Sequence, residues 1–390
     1  MENGFFKFEN DLLKHHVRTK AWLPACKRRL AIIRHNSRPG EQRRLRYFTF
    51  CAVGAVDVLM LDVARIITPS RTTHRFDTVF FFDKNQELVI ETQKRIPGAI
   101  GFPGDFIEIV LTEDPDNEFF RKKQDPLLSP SSMIDDKKTH DIQLKIATRQ
   151  QFINSFPFDV INLDLEEFLF KPSDPLPGKV VNAIRKIFEW QKRKLIIQHA
   201  MNHEIDGFSF MFTTQIGPPN LSEQYLMMLR DTLQRNLDED RSLLADLIKR
   251  EGTSDLSVIQ REKFDDFFKI SMPKILASIS MEKDWFIDPN NGITIYEFER
   301  PSKHGKYKML HLVMDIKRQN PTFENRAPGQ ICNKAYDAHK NIVRQIVTQK
   351  EVIVKEESLD KETLQKSLDQ IIRRRKLYYI DKSHDIDSVP

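Results

Sequence analysis

Three cysteines, thirteen glycines and three tryptophans in 390 residues rule out several ways of working. Cys26, Cys51 and Cys332 show no CxxC spacing, which argues against a disulfide framework and a structural zinc site and fits a reducing compartment. No stretch approaches the ~18 apolar residues that cross a bilayer, and no apolar leader opens the chain, so the expected setting is cytoplasmic with no membrane partner. There is no Walker lysine motif, no Gly-x-Ser-x-Gly elbow and no kinase signature. No internal repeat is visible. His199 and His203 stand four apart, which suits one helix face, but no third ligand follows with telling spacing, and a surface pair is expected with no metal. A nuclease of the PD-(D/E)xK type needs an acid and a lysine two apart on one strand. Glu91 and Lys94 are three apart in a helical stretch, and Asp315 and Lys317, correctly spaced, have no obvious partner acid.

What is present describes a globular protein. Hydrophobic residues make up 40% and charged residues 30%, enough for a real core, and the length suits two modest domains or one large domain with additions. The net charge of +5 is unevenly spread: residues 1–50 hold 12 Lys and Arg against 4 acids. Lys27, Arg28, Arg29, Arg43, Arg44 and Arg46 form the dense spots. Such a segment either tracks phosphates, making nucleic acid a candidate partner, or is the solvated face of a helix.

The chain divides into a basic helical extension (1–45), an α/β region (46–318) and a charged, helical C-terminal region (319–390). In the extension, Asp11 to Leu23 is amphipathic at helical spacing, and Pro24 is expected to end the helix. Between residues 46 and 110 the pattern reads strand, helix, strand, helix, strand. Tyr47 to Gly54 leads into a helical stretch, Asp77 to Asp83 is the second strand, Gln86 to Ile96 is helical, and a third strand begins near Gly98. Residues 113–140, rich in Asp, Pro, Ser and Lys, suit a surface loop. Phe158 to Leu165 and Gly207 to Gly217 read as buried strands, and Thr294–Arg300 with Lys308–Ile316 as a hairpin about the turn cluster at 301–305. The phenylalanine excess, 28 residues, falls at buried-strand and helix-face positions and is expected to be core. The C-terminal helices, with Arg373-Arg374-Arg375-Lys376, suit contact with a protein partner or with phosphates.

Four sites stand out in that order. Phe50-Cys51-Ala52-Val53-Gly54-Ala55 follows the first strand, and its small residues permit either close backbone approach to a ligand or tight helix–strand packing. Asp83 ends the second strand, where it can accept hydrogen bonds from ribose hydroxyls or cap the next helix. Gly104-Asp105-Phe106 follows the third strand as a ligand contact or a turn. Asn162-Leu163-Asp164-Leu165 ends the fourth.

Across roughly residues 45–318 this layout resembles the class I S-adenosylmethionine (SAM)-dependent methyltransferases. The resemblance implies an α/β, Rossmann-like, mostly parallel sheet with a terminal antiparallel hairpin. It also implies SAM as cofactor, with its methionine part at Cys51, Ala52 and Gly54, its ribose at Asp83, and its adenine at Asp105 and Phe106. The family's loop usually reads acid-x-Gly-x-Gly; here the acid and one glycine are missing. Asp164 would take the catalytic place at the fourth strand end, although the Pro-Pro-aromatic sequence of base-amine methylating members is absent, as is the Pro-Cys of cytosine C5 enzymes. Two functions follow. One is a SAM-dependent methyltransferase acting on or with nucleic acid. The other is an inactive methyltransferase-like scaffold in a bacterial nucleic-acid-processing or defence assembly.

Overall fold

The computed structural model describes residues 12–37, 43–51, 54–70, 72–112, 136–169, 178–200, 207–216, 221, 223–287, 293–302, 305–318, 344–345, 347–348 and 352–380. Most of the expected 113–140 loop and about half of the C-terminal region expected to be helical lie outside these residues.

The described residues open with α1 (Leu12–Val17), a π turn (Arg18–Trp22) and α2 (Leu23–His35). Pro24 does not end this helix. It sits in the first turn of α2, where its missing N–H costs little. Next come β1 (Tyr47–Thr49), α3 (Val56–Val63), β2 (Val79–Asp83), α4 (Gln86–Arg95), β3 (Ile100–Pro103), α5 (Phe106–Leu111) and α6 (Asp136–Asn154). After β4 (Val160–Phe168), α7 (Lys179–Ala200) and β5 (Gly207–Gln215), four helices follow in succession: α8 (Glu223–Glu239), α9 (Arg241–Glu251), α10 (Leu256–Glu262) and α11 (Phe264–Glu282). The short β6 (Trp285–Ile287), the hairpin β7 (Ile293–Ser302) and β8 (Gly305–Arg318), β9 (Val352–Val354) and α12 (Lys361–Ile380) complete the described elements.

The fold is α/β with one mixed sheet in the order β3-β2-β1-β4-β5-β8-β7-β9, and β6 also pairs with β8. Strands β1 to β5 are mutually parallel. The hairpin continues the sheet antiparallel to β5, with Thr213 opposite His311. Its register closes at Ser302 opposite Gly305, so the hairpin is longer than its sequence pattern indicated. Gly207 is required at the start of β5, because a Cβ there would meet the Ile316 carbonyl oxygen at 1.9 Å.

Both faces of the sheet are covered, so the central strands are buried on both sides, and polar residues such as Thr49, Asn162, Ser209 and Thr213 lie buried among their apolar side chains. In β2 the side chains alternate between two cores: Phe80 and Phe82 join one, Val79 and Phe81 the other. The first core is aromatic, with Phe48, Phe82, Phe106, Phe152 and Phe158 in mutual ring contact and α7 to α11 packed against it. The second core contains the apolar faces of α1, α2, α3 and α12. Crossovers among β1, β2 and β3 use α3 and α4, and the way back to β4 and β5 uses α6 and α7. The winding reverses between β1 and β4, and in such sheets the crevice outside the strand carboxyl ends at this point is where ligands bind.

Candidate functional site

An open cleft of about 340 Å³ lies at those carboxyl ends, within the roughly 300–1,000 Å³ typical of small-molecule sites. Phe50 comes from the end of β1, Phe82, Asp83 and Lys84 from β2, and Gly104, Asp105, Phe106 and Ile107 from the turn after β3. Asp164 and Leu165 come from β4. The structure thus brings Asp83, Asp105, Phe106 and Asp164 together, as their order in the sequence led us to expect.

The three carboxylates differ in how far they are already engaged. One oxygen of Asp83 accepts the amide of Asn85 at 2.8 Å, and among the described residues the other has no partner. Burial raises its carboxyl above the usual range, and the Asn85 amide offsets part of this. Asn85, not Asp83, caps α4 by accepting the Glu87 amide at 2.8 Å. Asp83 is therefore open to a ligand. Asp105 is the cap of α5: it accepts the amides of Ile107 and Glu108, at 2.9 and 3.1 Å, and pairs with Lys84 at 3.0 Å. Burial would raise it, but Lys84 and those amides hold it below the ordinary carboxylate range. Gly104 precedes it at a φ of 118°, the left-handed region that glycine tolerates and other residues resist. The stretch after β3 is therefore a capped helix, not a continuing strand. Phe106 places an aromatic wall beside Phe50, their rings in edge contact at 4.9 Å.

Asp164 is nearly buried and pairs with Lys14 of α1 at 2.7 Å. Its burial pushes the carboxyl up; Lys14, then Arg18, outweigh that and hold it low. His311, fully buried on β8, has its pKa lowered by burial to about 3 and is neutral. The indole N–H of Trp22 donates to its Nε2 at 2.9 Å. An indole only donates, so the imidazole proton sits on Nδ1 and is given to the Thr213 hydroxyl, 2.8 Å away.

Cys51 and Gly54 are buried and do not line the cleft, and Ala52 lies outside the described residues. The Cys51 thiol faces Asp57 of α3 at 3.8 Å. Asp57 also accepts the hydroxyls of Thr49, at 2.8 Å, and Tyr47, at 3.2 Å, while Asn162 donates to the Tyr47 hydroxyl at 3.0 Å. Burial, then the Asp57 carboxylate, raises the Tyr47 hydroxyl well above its usual range. Ala55 takes a left-handed φ of 48° at the start of α3, a strain of about 1 kcal/mol or more for a residue with a Cβ.

No known protein family, curated protein or solved structure matches this chain.

Of the basic residues, five reach partners within the chain. Arg28 pairs with Asp315 at 3.3 Å, Arg43 with Asp159 at 3.3 Å, and Arg44 with Asp77. Arg29 donates to the Gly207 carbonyl. Arg46 donates to the carbonyls of Pro157, at 2.9 Å, and Ser155, at 2.5 Å, and its guanidinium lies 4.6 Å from the centre of the Phe80 ring. Lys27 is exposed. Arg373 lies on α12, whose side chains from residue 374 onwards are outside the described set. Among the described residues no group of three or more His, Cys, Asp or Glu could hold a metal, and no helix is long and apolar enough to cross a membrane. His199 contributes only helix backbone to the described set, and His203 lies outside it.

Lys14, Lys84 and Asp57 were missed by reading the sequence. Lys84 was the most accessible of them, as the cation directly after the strand-end acid. Lys14 and His311 reach the site from elements far away in the chain.

Proposed function

We propose that this chain is a SAM-dependent methyltransferase-like protein that binds the nucleoside part of SAM in the strand-end cleft. The observation that carries the reading is the convergence of Asp83, Asp105, Phe106 and Asp164 on one cleft at the point where the sheet reverses its winding. The residues fit the nucleoside half. Asp83 has a carboxylate oxygen ready to accept ribose hydroxyls, and Phe50 and Phe106 offer flat apolar walls to a purine. Three carboxylates around the cleft disfavour a polyphosphate and so favour SAM over a dinucleotide or nucleoside triphosphate.

When bound, SAM would supply an electrophilic methyl group on a sulfonium. Asp164, ionised at the cleft wall, would position an acceptor group and draw off its proton, and the remaining acceleration would come from proximity. Nucleic acid is the acceptor suggested by the basic N-terminal segment. With five of those six cations engaged inside the chain, the proposal rests on the cleft and not on the arm.

A second reading has its own support. Cys51 and Gly54 of the first loop do not line the cleft, and the carboxylate of Asp105 is already taken by α5 and Lys84. An inactive scaffold that keeps the fold would show these features, with α12 as a surface for a protein partner.

Calorimetric titration of SAM into the full chain, with Asp83→Ala alongside, separates the two. Micromolar binding that weakens at least tenfold in the variant is expected, a change of about 1.4 kcal/mol or more. A folded wild type that takes up no SAM would leave the scaffold.

A further inference from the structure

The N-terminal helix meets the sheet at two points, Lys14 with Asp164 and Trp22 with His311. In a regular α-helix, residues eight apart lie about 80° out of line. The π turn at Arg18–Trp22 winds more widely, and this lets both Lys14 and Trp22 face the sheet. Trp22 is fixed by His311. His311 stands opposite Thr213, and Thr213 stands opposite Asp164 in the neighbouring strand pair. The indole thus anchors the helix two strands away from the residue that Lys14 meets. Lys14 does not line the cleft, whereas Asp164 does, so the ammonium approaches its carboxylate from behind the cleft wall.

We propose that Lys14 is a positioning residue: delivered by α1, it holds Asp164 as a fixed carboxylate on the cleft wall, so that the cleft prefers a cationic nucleoside to its neutral counterpart. For its ligand the inference rests on the SAM reading above; for the charge of Asp164 it stands alone. The other groups facing Asp164 are Arg18 on the π turn and His311 on β8. Asp83, Asp105 and Lys84 share the cleft with it. His311 stays neutral with both ring nitrogens engaged, so it contributes no titration near neutral pH. His15 on α1 faces away towards Ser367 of α12, at 3.2 Å. Without Lys14, burial would dominate and Asp164 would take up a proton at a much higher pH.

The test uses SAM and its neutral demethylated product, S-adenosylhomocysteine, titrated into the full chain at pH 6 and pH 8. Wild type is compared with Lys14→Met, with Lys20→Met on an exposed position of the same helix segment, and with Asp164→Asn. The double variant Lys14→Met/Asp164→Asn leaves no unpaired buried charge and guards against a fold lost through Lys14→Met alone. Wild type and Lys20→Met should favour SAM by the same ratio at both pH values. Lys14→Met should lose threefold or more of that preference at pH 6, and the Asp164→Asn and double variants should lose it at both. A Lys14→Met protein with the wild-type ratio at both pH values overturns the inference. Carbon-13 titration of the Asp164 carboxyl in ligand-free protein gives the independent reading. Its midpoint should rise in Lys14→Met far enough for the carboxyl to be largely protonated at pH 6, and an unchanged midpoint overturns the role of Lys14. If neither ligand binds the wild type, the cofactor reading fails while this titration still decides whether Lys14 sets the charge of Asp164.

Discussion

The ends of β2 and β3 and the end of β1 lie side by side, yet the chain uses them in opposite ways. At β2 and β3 the acids stay at the rim: Asp105 spends its oxygens on a helix cap and Lys84, and Asp83 gives only one to a turn. At β1 the polar groups turn inward. Thr49, Tyr47 and Cys51 point to Asp57 in the second core, and Cys51 and Gly54 do not line the cleft. Small residues after a strand therefore mark close packing as readily as a ligand site. What separates the two is whether the first turn of the next helix carries a buried acid that collects the strand's hydroxyls.

Removing that acid breaks the comparison most sharply. Asp57→Ala leaves the Tyr47 and Thr49 hydroxyls buried without an acceptor, at about 1–3 kcal/mol for each orphaned group. A loss of about 3 kcal/mol in urea unfolding is expected. Stability within about 0.5 kcal/mol of wild type would show that the cluster does not hold the loop.

The next effect is a pH dependence. His311 has a pKa of about 3 in the folded protein against 6.5 for an unperturbed histidine, so on acidification the unfolded chain takes up the proton first. Its contribution to stability is complete above pH 6.5 and is lost as pH falls towards 3, at about 1.4 kcal/mol per pH unit. Between pH 7.5 and 5 this is about 2 kcal/mol. His15, lowered to about 4 by burial, then Arg18 and His16, acts in the same direction. Urea unfolding at the two pH values should show the loss, and His311→Gln should lose less stability on acidification than wild type.

The smallest effect contrasts the two rim acids. Asp105→Ala removes a helix cap and should cost about 1 kcal/mol. Asp83→Ala, which gives up one turn hydrogen bond, should cost less than half of that in the same thermal unfolding series. Equal losses would mean that Asp83 is a structural residue and not a ligand site.

The legible part of this molecule is the part written locally. The buried runs at 79–83, 160–165 and 207–215 announce central strands, and the acids that end two of them fall on the cleft because strand ends converge there. The hairpin was legible from its turn cluster. The strands β6 and β9, three residues each, are too short to show any period. The helical course through Pro24 was misread because proline in a first turn looks the same in sequence as proline after a last one. Nothing local announces the contacts of Lys14 with Asp164 or Trp22 with His311, which join residues 150 and 289 positions apart. For the same reason the basic N-terminal cluster read as an open surface, although its partners, Asp315, Gly207, Asp159 and Asp77, lie on distant strands or strand approaches.

The pairing of the N-terminal and C-terminal helices also sets an order of assembly. Leu13 and Val17 of α1 share a core with Leu368 and Ile371 of α12, and β9 joins the sheet beyond β7. During synthesis, α1 leaves the ribosome about 350 residues before the helix it packs against, at roughly 5–20 residues per second. For that interval its apolar face has no complete partner. The newborn chain must keep α1 waiting for α12.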